Sequence, residues 1–395
     1  MNSSTYKFYQ NPDLVTLCDN KARWNLPEFR RMSFRNLHRI NRYGIFLRSD
    51  LVLALENQQD LAIQQIPLVK KMLEHNSFCS LVVVKDQSIL FEQYADDFPD
   101  TQPHSIQSIS KMFLNLFIGE LVENGLLDLE KTISEYLPDI GSGYANASLQ
   151  SVLNMDIQNQ YSEDYLDPFS SSYLQETAIG WRLPSENSTE QTNKEFLNNV
   201  KAIDGVGLEN NTGQALYKSS NSDVLSLLLE KVSDQSLRER LLSAVEAAGF
   251  EDGLHMGTDR TGMPTLSGGG SLIARDLARL GLLFARRGEG VNNRRSGSTS
   301  FIDKTLTNPG PKYMKLKRGP PSEDDFVRYS NQIMVGKNWI GHGGYGGQYL
   351  LINMLTGVVA AFYSVLETPS ATDVEFKTNI VLMLEEISNQ TYQNE

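Results

Sequence analysis

The sequence predicts an α+β protein in which helices flank an antiparallel sheet and an all-helical segment interrupts the chain between the two parts that build the sheet. Two β-type runs, 78–84 and 88–94, surround a short polar turn near the start of the chain. Further β-type runs lie between residues 327 and 365, whereas 148–250 shows helical periodicity and polar loops. The sheet is therefore expected to draw its strands from both ends of the chain.

Composition limits the classes of partner. The chain has 395 residues, with 40% hydrophobic and 21% charged residues, which is ordinary for a globular protein. A net charge of −12 without a basic patch argues against a nucleic acid or an anionic membrane as partner. Two cysteines, Cys18 and Cys79, do not make a disulfide framework, and the N-terminus lacks an apolar signal region. A cytoplasmic location is the expectation.

The remaining elements follow from periodicity and turn residues. Residues 1–56 are mixed in character and are treated as an N-terminal extension that covers the body of the protein. The long segment 156–192 is polar and aromatic, which favours the wall of a pocket over a plain connection. The predicted helices are 60–75, 109–124, 147–155, 222–232, 237–248, 275–286 and 372–387, and the late strands are 327–335, 339–342, 348–353 and 358–365.

The strongest chemical signal lies where residues 104–114 run into an apolar helix that Gly125 is expected to end. Ser108 and Lys111 are three residues apart and therefore share one helix face. Unpaired N–H groups at a helix N-terminus favour an oxyanion, and a lysine of lowered pKa can take the serine proton. Ser108 is thus a candidate nucleophile and Lys111 its activator. The alternative is an ordinary N-cap serine, and a second S-x-x-K at 4–7 is attributed to chance.

Two later stretches offer partners for this serine. Tyr217 precedes the predicted helix at 222 and is a candidate to pass a proton between Ser108 and a leaving group. The alternative is a core tyrosine before a capped helix. The glycine-rich stretch 341–348 lets the backbone approach a substrate, so the N–H of Tyr345 is a candidate for an oxyanion hole together with that of Ser108. A plain hairpin turn is the alternative there.

Taken together, these stretches resemble the serine β-lactamase and DD-peptidase superfamily, and most closely its class C and family VIII esterase branch. Within that branch the group of 6-aminohexanoate-dimer hydrolases is the most similar. The resemblance spans roughly residues 75 to 390. The stretches that carry it are Ser108 to Lys111, Tyr217 to Ser219, His342 to Gly344, 152–155, 161–165, 219–225, 274–279 and 281–284.

The resemblance implies a β-lactamase/transpeptidase-like fold and a double displacement without metal or cofactor. Ser108 would attack a carbonyl, Lys111 and Tyr217 would manage protons, and the N–H groups of Ser108 and Tyr345 would hold the oxyanion. His342, Gly344, Tyr165, Ser219 and Trp181 would bind substrate.

The sequence departs from the family pattern in two places. Ser219 stands where the family usually has an asparagine in Tyr-x-Asn. His342 replaces the lysine of β-lactamases, and a neutral imidazole is a weaker anchor for a carboxylate, which puts β-lactam turnover in doubt. The five histidines show no metal-ligand spacing, and no rival catalytic motif is present.

The leading expectation is a serine hydrolase that cleaves a small amide or ester through an acyl-serine, with a homodimer left open. Its domain would span 57–395, in which 57–147 and 251–395 form the α/β part and 148–250 the helical subdomain. The first alternative is an acyltransferase or transesterase that uses the same intermediate. The second is a non-catalytic ligand-binding member of the fold.

Overall fold

A nine-stranded sheet and a four-stranded sheet organise the protein. The structure is a computed structural model that describes residues 23–390 except 166, 168, 185–188, 309, 317 and 319–321. Cys18 and the S-x-x-K at 4–7 therefore lie outside the described residues. The described strands are β1 (Gly44–Leu47), β2 (Glu56–Asn57), β3 (Phe78–Lys85), β4 (Ser88–Tyr94), β5 (His104–Ser105), β6 (Leu254–Gly257), β7 (Gly270–Leu272), β8 (Lys312–Lys315), β9 (Phe326–Ser330), β10 (Ile333–Val335), β11 (Trp339–Gly344), β12 (Gln348–Asn353) and β13 (Val358–Ser364).

Helices pack around these strands. The described α-helices are α1 (Pro27–Ile40), α2 (Ala62–Gln65), α3 (Pro67–Leu73), α4 (Met112–Glu123), α5 (Ile133–Tyr136), α6 (Ser142–Ala145), α7 (Leu149–Leu153), α8 (Ser171–Ala178), α9 (Asn193–Asn198), α10 (Ser219–Val232), α11 (Leu237–Ala248), α12 (Ala274–Ala285), α13 (Thr299–Thr307) and α14 (Val374–Ser388). Within the part of the chain that the structure describes, no helix is both long enough and apolar enough to cross a membrane.

The large sheet joins the two ends of the chain, as the sequence predicts. Its strand order is β2-β4-β3-β13-β12-β11-β10-β9-β8, and every neighbouring pair is antiparallel except β2 and β4. The early and late strands meet where β3 pairs with β13, with Val82 opposite Ala361. This confirms the α+β fold class and the antiparallel sheet.

Alternation along the central strands explains why helices cover both faces of the sheet. On β3, Val82 and Val84 belong to the core that contains α12, whereas Leu81 and Val83 belong to the core that contains α14. Because successive side chains of a strand point to opposite faces, a run that is apolar at every position requires cover on both sides. Gly281 lets α12 lie close to the sheet, since a Cβ there would be 2.3 Å from Val359 Cγ1.

The structure corrects several predicted elements. The helix expected over 60–75 is two helices, because Pro67 starts a new one after Ile66 turns to an extended conformation. The strand expected over 327–335 is a hairpin of β9 and β10, with Asn331 and Gln332 at φ 50° and 66°. The segments 156–192 and 288–321 contain α8 and α13, which were not predicted.

The smaller sheet was not predicted either, and it carries the N-terminal region into the body. Its order is β1-β6-β7-β5, with β1 pairing antiparallel to β6. Its strands are short, and β5 has only two residues, too few for an alternating pattern to be visible. Helix α1 packs on this sheet, with Trp24 and Phe34 fully buried. Strand β5 leads directly into the turn that bears Ser108.

Candidate active site

A tight turn positions Ser108. Residues Gln107–Lys111 form a 3-10 turn between β5 and α4, and Gln107 adopts φ +48°, a conformation that non-glycine residues rarely take. The Ser110 hydroxyl donates to the Gln107 carbonyl (2.7 Å) and accepts from the N–H of Gly270 (3.0 Å). The small sheet therefore holds the turn in its strained shape and presents Ser108 at the floor of a cleft.

Lys111 lies directly beneath this serine. Its Nζ donates to Ser108 Oγ at 3.0 Å, to Ser219 Oγ at 3.2 Å and, by a short contact, to the carbonyl of Ser267. The side chain is fully buried, and this burial lowers the pKa of Lys111 to about 8. The carboxylates of Glu163 and Asp223 oppose that shift by favouring the ammonium form.

Two acidic side chains surround the lysine. Glu163 accepts from Ser219 Oγ at 2.7 Å and, through short contacts, from the Ser219 N–H and the Tyr165 hydroxyl. Asp223 is fully buried on α10 and accepts from Gln175 Nε2. Its burial raises the pKa of Asp223 to about 6, although Ser267, Gln175 and Lys111 act in the opposite direction. Lys111 thus has two anionic or potentially anionic neighbours.

Tyr217 packs beside the lysine, with Lys111 Nζ 5.0 Å from its ring centre. Its hydroxyl is buried and has no hydrogen bond of good geometry among the described residues. Burial raises the pKa of Tyr217 well above its usual value, while the neighbouring Ser108 side chain acts weakly to lower it. The phenol therefore holds its proton at neutral pH.

The glycine-rich stretch joins β11 to β12 beside the Ser108 turn. His342 is 1% exposed, and its Nδ1–H donates to the Gly343 carbonyl (2.7 Å), so that Nε2 accepts from the Tyr329 hydroxyl (2.9 Å). Burial first, and then the charge of Lys111, lower the pKa of His342 to about 3. The imidazole is neutral and does not line the cleft, so a role in binding substrate stays a prediction.

Two backbone N–H groups at this junction have no hydrogen-bond partner among the described residues. They belong to Ser108, at the start of the turn, and Tyr345, just after β11. Gly344 brings the two segments together, since a Cβ there would lie 2.7 Å from the Ile106 carbonyl. Unpaired N–H groups are what an oxyanion hole requires.

The cleft above Ser108 encloses about 50 Å³, or about 500 Å³ when the open space at its mouth is included. Besides Ser108, four residues that the resemblance assigned to substrate or oxyanion lie in its lining, namely Tyr165, Trp181, Ser219 and Tyr345. The lining is completed by Trp24, Gln107, Ser108, Tyr161, Ser172, Gln175, Glu176, Ile179, Ser267 and Gly268. Within the described ranges, no group of three or more His, Cys, Asp and Glu side chains is arranged to hold a metal ion.

Several of these residues escaped the sequence analysis. Trp24 comes from the N-terminal region, which has no pattern linking it to the cleft. Glu163 and Gln175 lie in the aromatic segment that was expected to form a pocket wall, so their region was identified but their roles were not. Ser267 precedes the glycine turn at 268–270, and only its carbonyl, which carries no sequence signal, contacts Lys111.

Known proteins resemble this chain in sequence and in fold. The Beta-lactamase family model matches residues 70–382. The 6-aminohexanoate-dimer hydrolase of Paenarthrobacter ureafaciens is 30% identical over 237 residues, which cover 60% of the chain and 59% of that relative. The chain thus matches less than two thirds of the length of this curated relative.

Two solved structures show the same fold. A candidate 6-aminohexanoate-dimer hydrolase from Bacillus anthracis superposes with a TM-score of 0.78 at 21% identity, covering 96% of this chain and 98% of the other. EstCE1, described as a hydrolase with promiscuous acyltransferase activity, gives a TM-score of 0.56 at 13% identity, covering 82% of this chain and 98% of the other. At these identities the likeness concerns the fold.

Proposed function

The chain belongs to the beta-lactamase family, and we propose that it is a serine hydrolase that cleaves an amide or ester through a covalent acyl-Ser108 intermediate. The observation that carries the proposal is the contact of Ser108 Oγ with Lys111 Nζ at 3.0 Å on the floor of the cleft. A fully buried lysine whose pKa is lowered to about 8 has a larger neutral fraction near neutral pH than an ordinary lysine, and this fraction is able to accept a proton.

In the first half of the reaction, Ser108 Oγ attacks the substrate carbonyl carbon while its proton passes to Lys111 Nζ. The new C–O bond displaces the carbonyl π electrons onto the oxygen, which gives a tetrahedral oxyanion. The unpaired N–H groups of Ser108 and Tyr345 are the candidates to hold that charge.

Collapse of this intermediate breaks the bond to the leaving nitrogen or oxygen. The leaving atom takes a proton that originates from the Lys111 ammonium. Tyr217 is suited to relay it, because its phenol is protonated at neutral pH and lies beside Lys111. An amine or alcohol departs, and the acyl group stays on Ser108.

Water completes the cycle. Its oxygen attacks the acyl carbon as its proton passes to the neutral Lys111, and the second tetrahedral intermediate then releases Ser108 Oγ, which recovers that proton. The net reaction adds one water to the amide or ester and yields an acid and an amine or alcohol.

The cleft favours an acyl or leaving group of modest size with apolar character. The space enclosed within the cleft is about 50 Å³, which admits only a narrow group, and Trp24, Trp181 and Tyr345 supply aromatic wall. The relative from Paenarthrobacter ureafaciens is named for the dimer of 6-aminohexanoate. A short linear amide or ester is therefore the proposed substrate class.

Fluorophosphonate labelling and a p-nitrophenyl ester burst, each compared between the wild type and Ser108→Ala, test this proposal. We expect one label and one burst equivalent per wild-type chain and neither in the variant. Ser172→Ala is the matched control, since Ser172 lines the same cleft but its hydroxyl pairs with Ser170 at 2.7 Å. This control is expected to keep the label.

Each alternative has its own outcome. A folded wild-type protein that shows neither label nor burst would favour the ligand-binding module. A burst followed by preferential transfer of the acyl group to an added amine would identify an acyltransferase, and analysis of the products distinguishes this from hydrolysis.

A further inference from the structure

Glu163 connects parts of the cleft that the sequence leaves unrelated. It lies between α7 and α8, and Oε1 accepts from Ser219 Oγ at 2.7 Å and from the hydroxyl of Tyr165. Its other oxygen accepts from the N–H of Ser219 at the start of α10. Three donors thus converge on one carboxylate.

The series of hydrogen bonds continues from Glu163 to Lys111, the proposed base. Lys111 Nζ donates to Ser219 Oγ at 3.2 Å, and that hydroxyl in turn donates to Glu163. At the other end Tyr165 lines the cleft with Ser108 and packs against Tyr345 at a ring-centre distance of 5.1 Å. The Glu163 carboxylate is therefore hydrogen-bonded to Ser219, which contacts the proposed base Lys111, and to Tyr165, which lines the cleft.

We infer that Glu163 is a positioning residue that links Lys111, through Ser219, to Tyr165, so that the protonation of the base and the placement of the cleft tyrosine depend on the same carboxylate. This inference rests on the proposed function, because it requires Lys111 to be the base. The Ser219 hydroxyl thereby acquires a role as the bridge between the two charges.

The charged groups around Lys111 determine what the loss of the Glu163 charge should do to its pKa. The carboxylates that act on Lys111 are Glu163 and Asp223, and both raise its pKa. The second cation near Glu163 is Lys218, whose Nζ donates to the Ile157 carbonyl at 3.1 Å and whose pKa burial lowers to about 8. Among the described residues, the other titratable groups that interact with Lys111 or Glu163 are neutral at pH 7, namely Tyr144, Tyr161, Tyr165, Tyr217, Tyr313, Tyr329 and His342.

Glu163→Gln removes the charge and keeps the shape of the side chain. Because an opposite charge close to a lysine favours its ammonium form, the loss of this charge lowers the pKa of Lys111 further. The rate of fluorophosphonate labelling should then reach its plateau at lower pH, with a midpoint shifted down by about one pH unit. The plateau itself should fall, since a weaker base accepts the serine proton less readily.

Three further variants make the test selective. Glu176→Gln is the matched control, because Glu176 lies in the lining of the same cleft and is absent from the groups acting on Lys111, so its midpoint should not move. Ser219→Ala removes the bridging hydroxyl and keeps the carboxylate, and it should shift the midpoint in the same direction by less. Tyr165→Phe removes only the hydrogen bond between the tyrosine hydroxyl and Glu163, and it should raise KM for the ester without moving the midpoint.

The outcomes separate this inference from the proposed function. Absence of labelling in the wild type at every pH contradicts the proposed function itself. Normal wild-type labelling, with an unchanged midpoint in Glu163→Gln, overturns the inference. If Glu163→Gln does not fold, Ser219→Ala decides, and an unchanged midpoint there overturns it equally. An unchanged KM in Tyr165→Phe removes the tyrosine from the linked chain.

Discussion

Gly344 packs against the backbone of Ile106, because a Cβ at position 344 would lie 2.7 Å from the Ile106 carbonyl oxygen. It would also lie 3.0 Å from Gln107 Cβ. The end of β11 and the turn that bears Ser108 are thus in direct contact. The spacing between the N–H groups of Ser108 and Tyr345 therefore depends on the absence of a side chain at Gly344.

Gly344→Ala should separate these two segments. A methyl group against backbone cannot be relieved by a side-chain rotation, so we expect a loss of about 1–3 kcal/mol of unfolding free energy. The ester burst rate should fall more than this stability loss explains. Gly207→Ala is the control, since no atom lies within 4 Å of a Cβ at that position. Equal burst rates in the two variants would contradict the argument.

The acylation rate should rise with pH through the pKa of Lys111. The base is active when neutral, and burial lowers its pKa to about 8, so the rate increases up to about pH 8 and levels off above it. Lys111→Ala should lose about 10²–10⁴-fold in kcat/KM and lose this rise. A pH profile of kcat/KM between pH 5 and 10 measures both, and a midpoint near 6 would point to a different base.

The N–H of Tyr345 should contribute to the oxyanion hole. Tyr345→Pro removes this donor and should reduce kcat by about 10²–10³-fold. Tyr345→Ala keeps the donor and removes the ring, so it should change KM more than kcat. Burst kinetics of both variants, compared after thermal melts show that they fold, check the prediction. A similar kcat in both would exclude the backbone contribution.

Asp276 should be important for stability and not for chemistry. It is fully buried, accepts from the N–H groups of Glu251, Asp252 and Gly253, and pairs with Arg279 at 2.9 Å. Asp276→Ala leaves these three N–H donors unpaired and removes one of the two carboxylates that pair with the buried Arg279, the other being Glu251, which should cost about 3–5 kcal/mol in urea unfolding.

The control for this prediction is Asp303→Ala. It breaks the partly exposed pair with Arg287 and should cost no more than about 1 kcal/mol. A small effect at position 276 would mean that the buried network relaxes or takes up water.

The sequence was most informative where side chains alternate or recur. The strands around residues 82 and 361 and the helix after Lys111 could be predicted, because apolar residues at periods of 2 or 3.6 require buried faces. The hairpin of β9 and β10 was predicted as one strand because Asn331 and Gln332 resemble polar strand positions, and their positive φ is imposed by the surrounding fold.

The candidate site, like the fold, was predictable only where the residues are close in sequence. Ser108 and Lys111 share a turn, so local spacing was sufficient to place them together. Their link to Glu163 was not predictable, because it depends on how residues far apart in the chain pack around Ser219. His342 shows the converse, since its position in a motif did not indicate that its ring would be buried against Tyr329.

Helix α1 and the residues just before it attach the outer wall of the cleft to the catalytic body. Arg30 holds the carbonyl of Leu366 at 2.5 Å, while Asn25 donates to the Tyr345 hydroxyl at 3.0 Å and Trp24 lies in the cleft lining. Trp24, Asn25 and Arg30 precede position 70, where the family match begins. This part of the cleft wall therefore lies outside the matched segment of the family, although it contacts Tyr345 within that segment. Substitution of Trp24 is accordingly a route to altered substrate preference that leaves Ser108 and Lys111 in place.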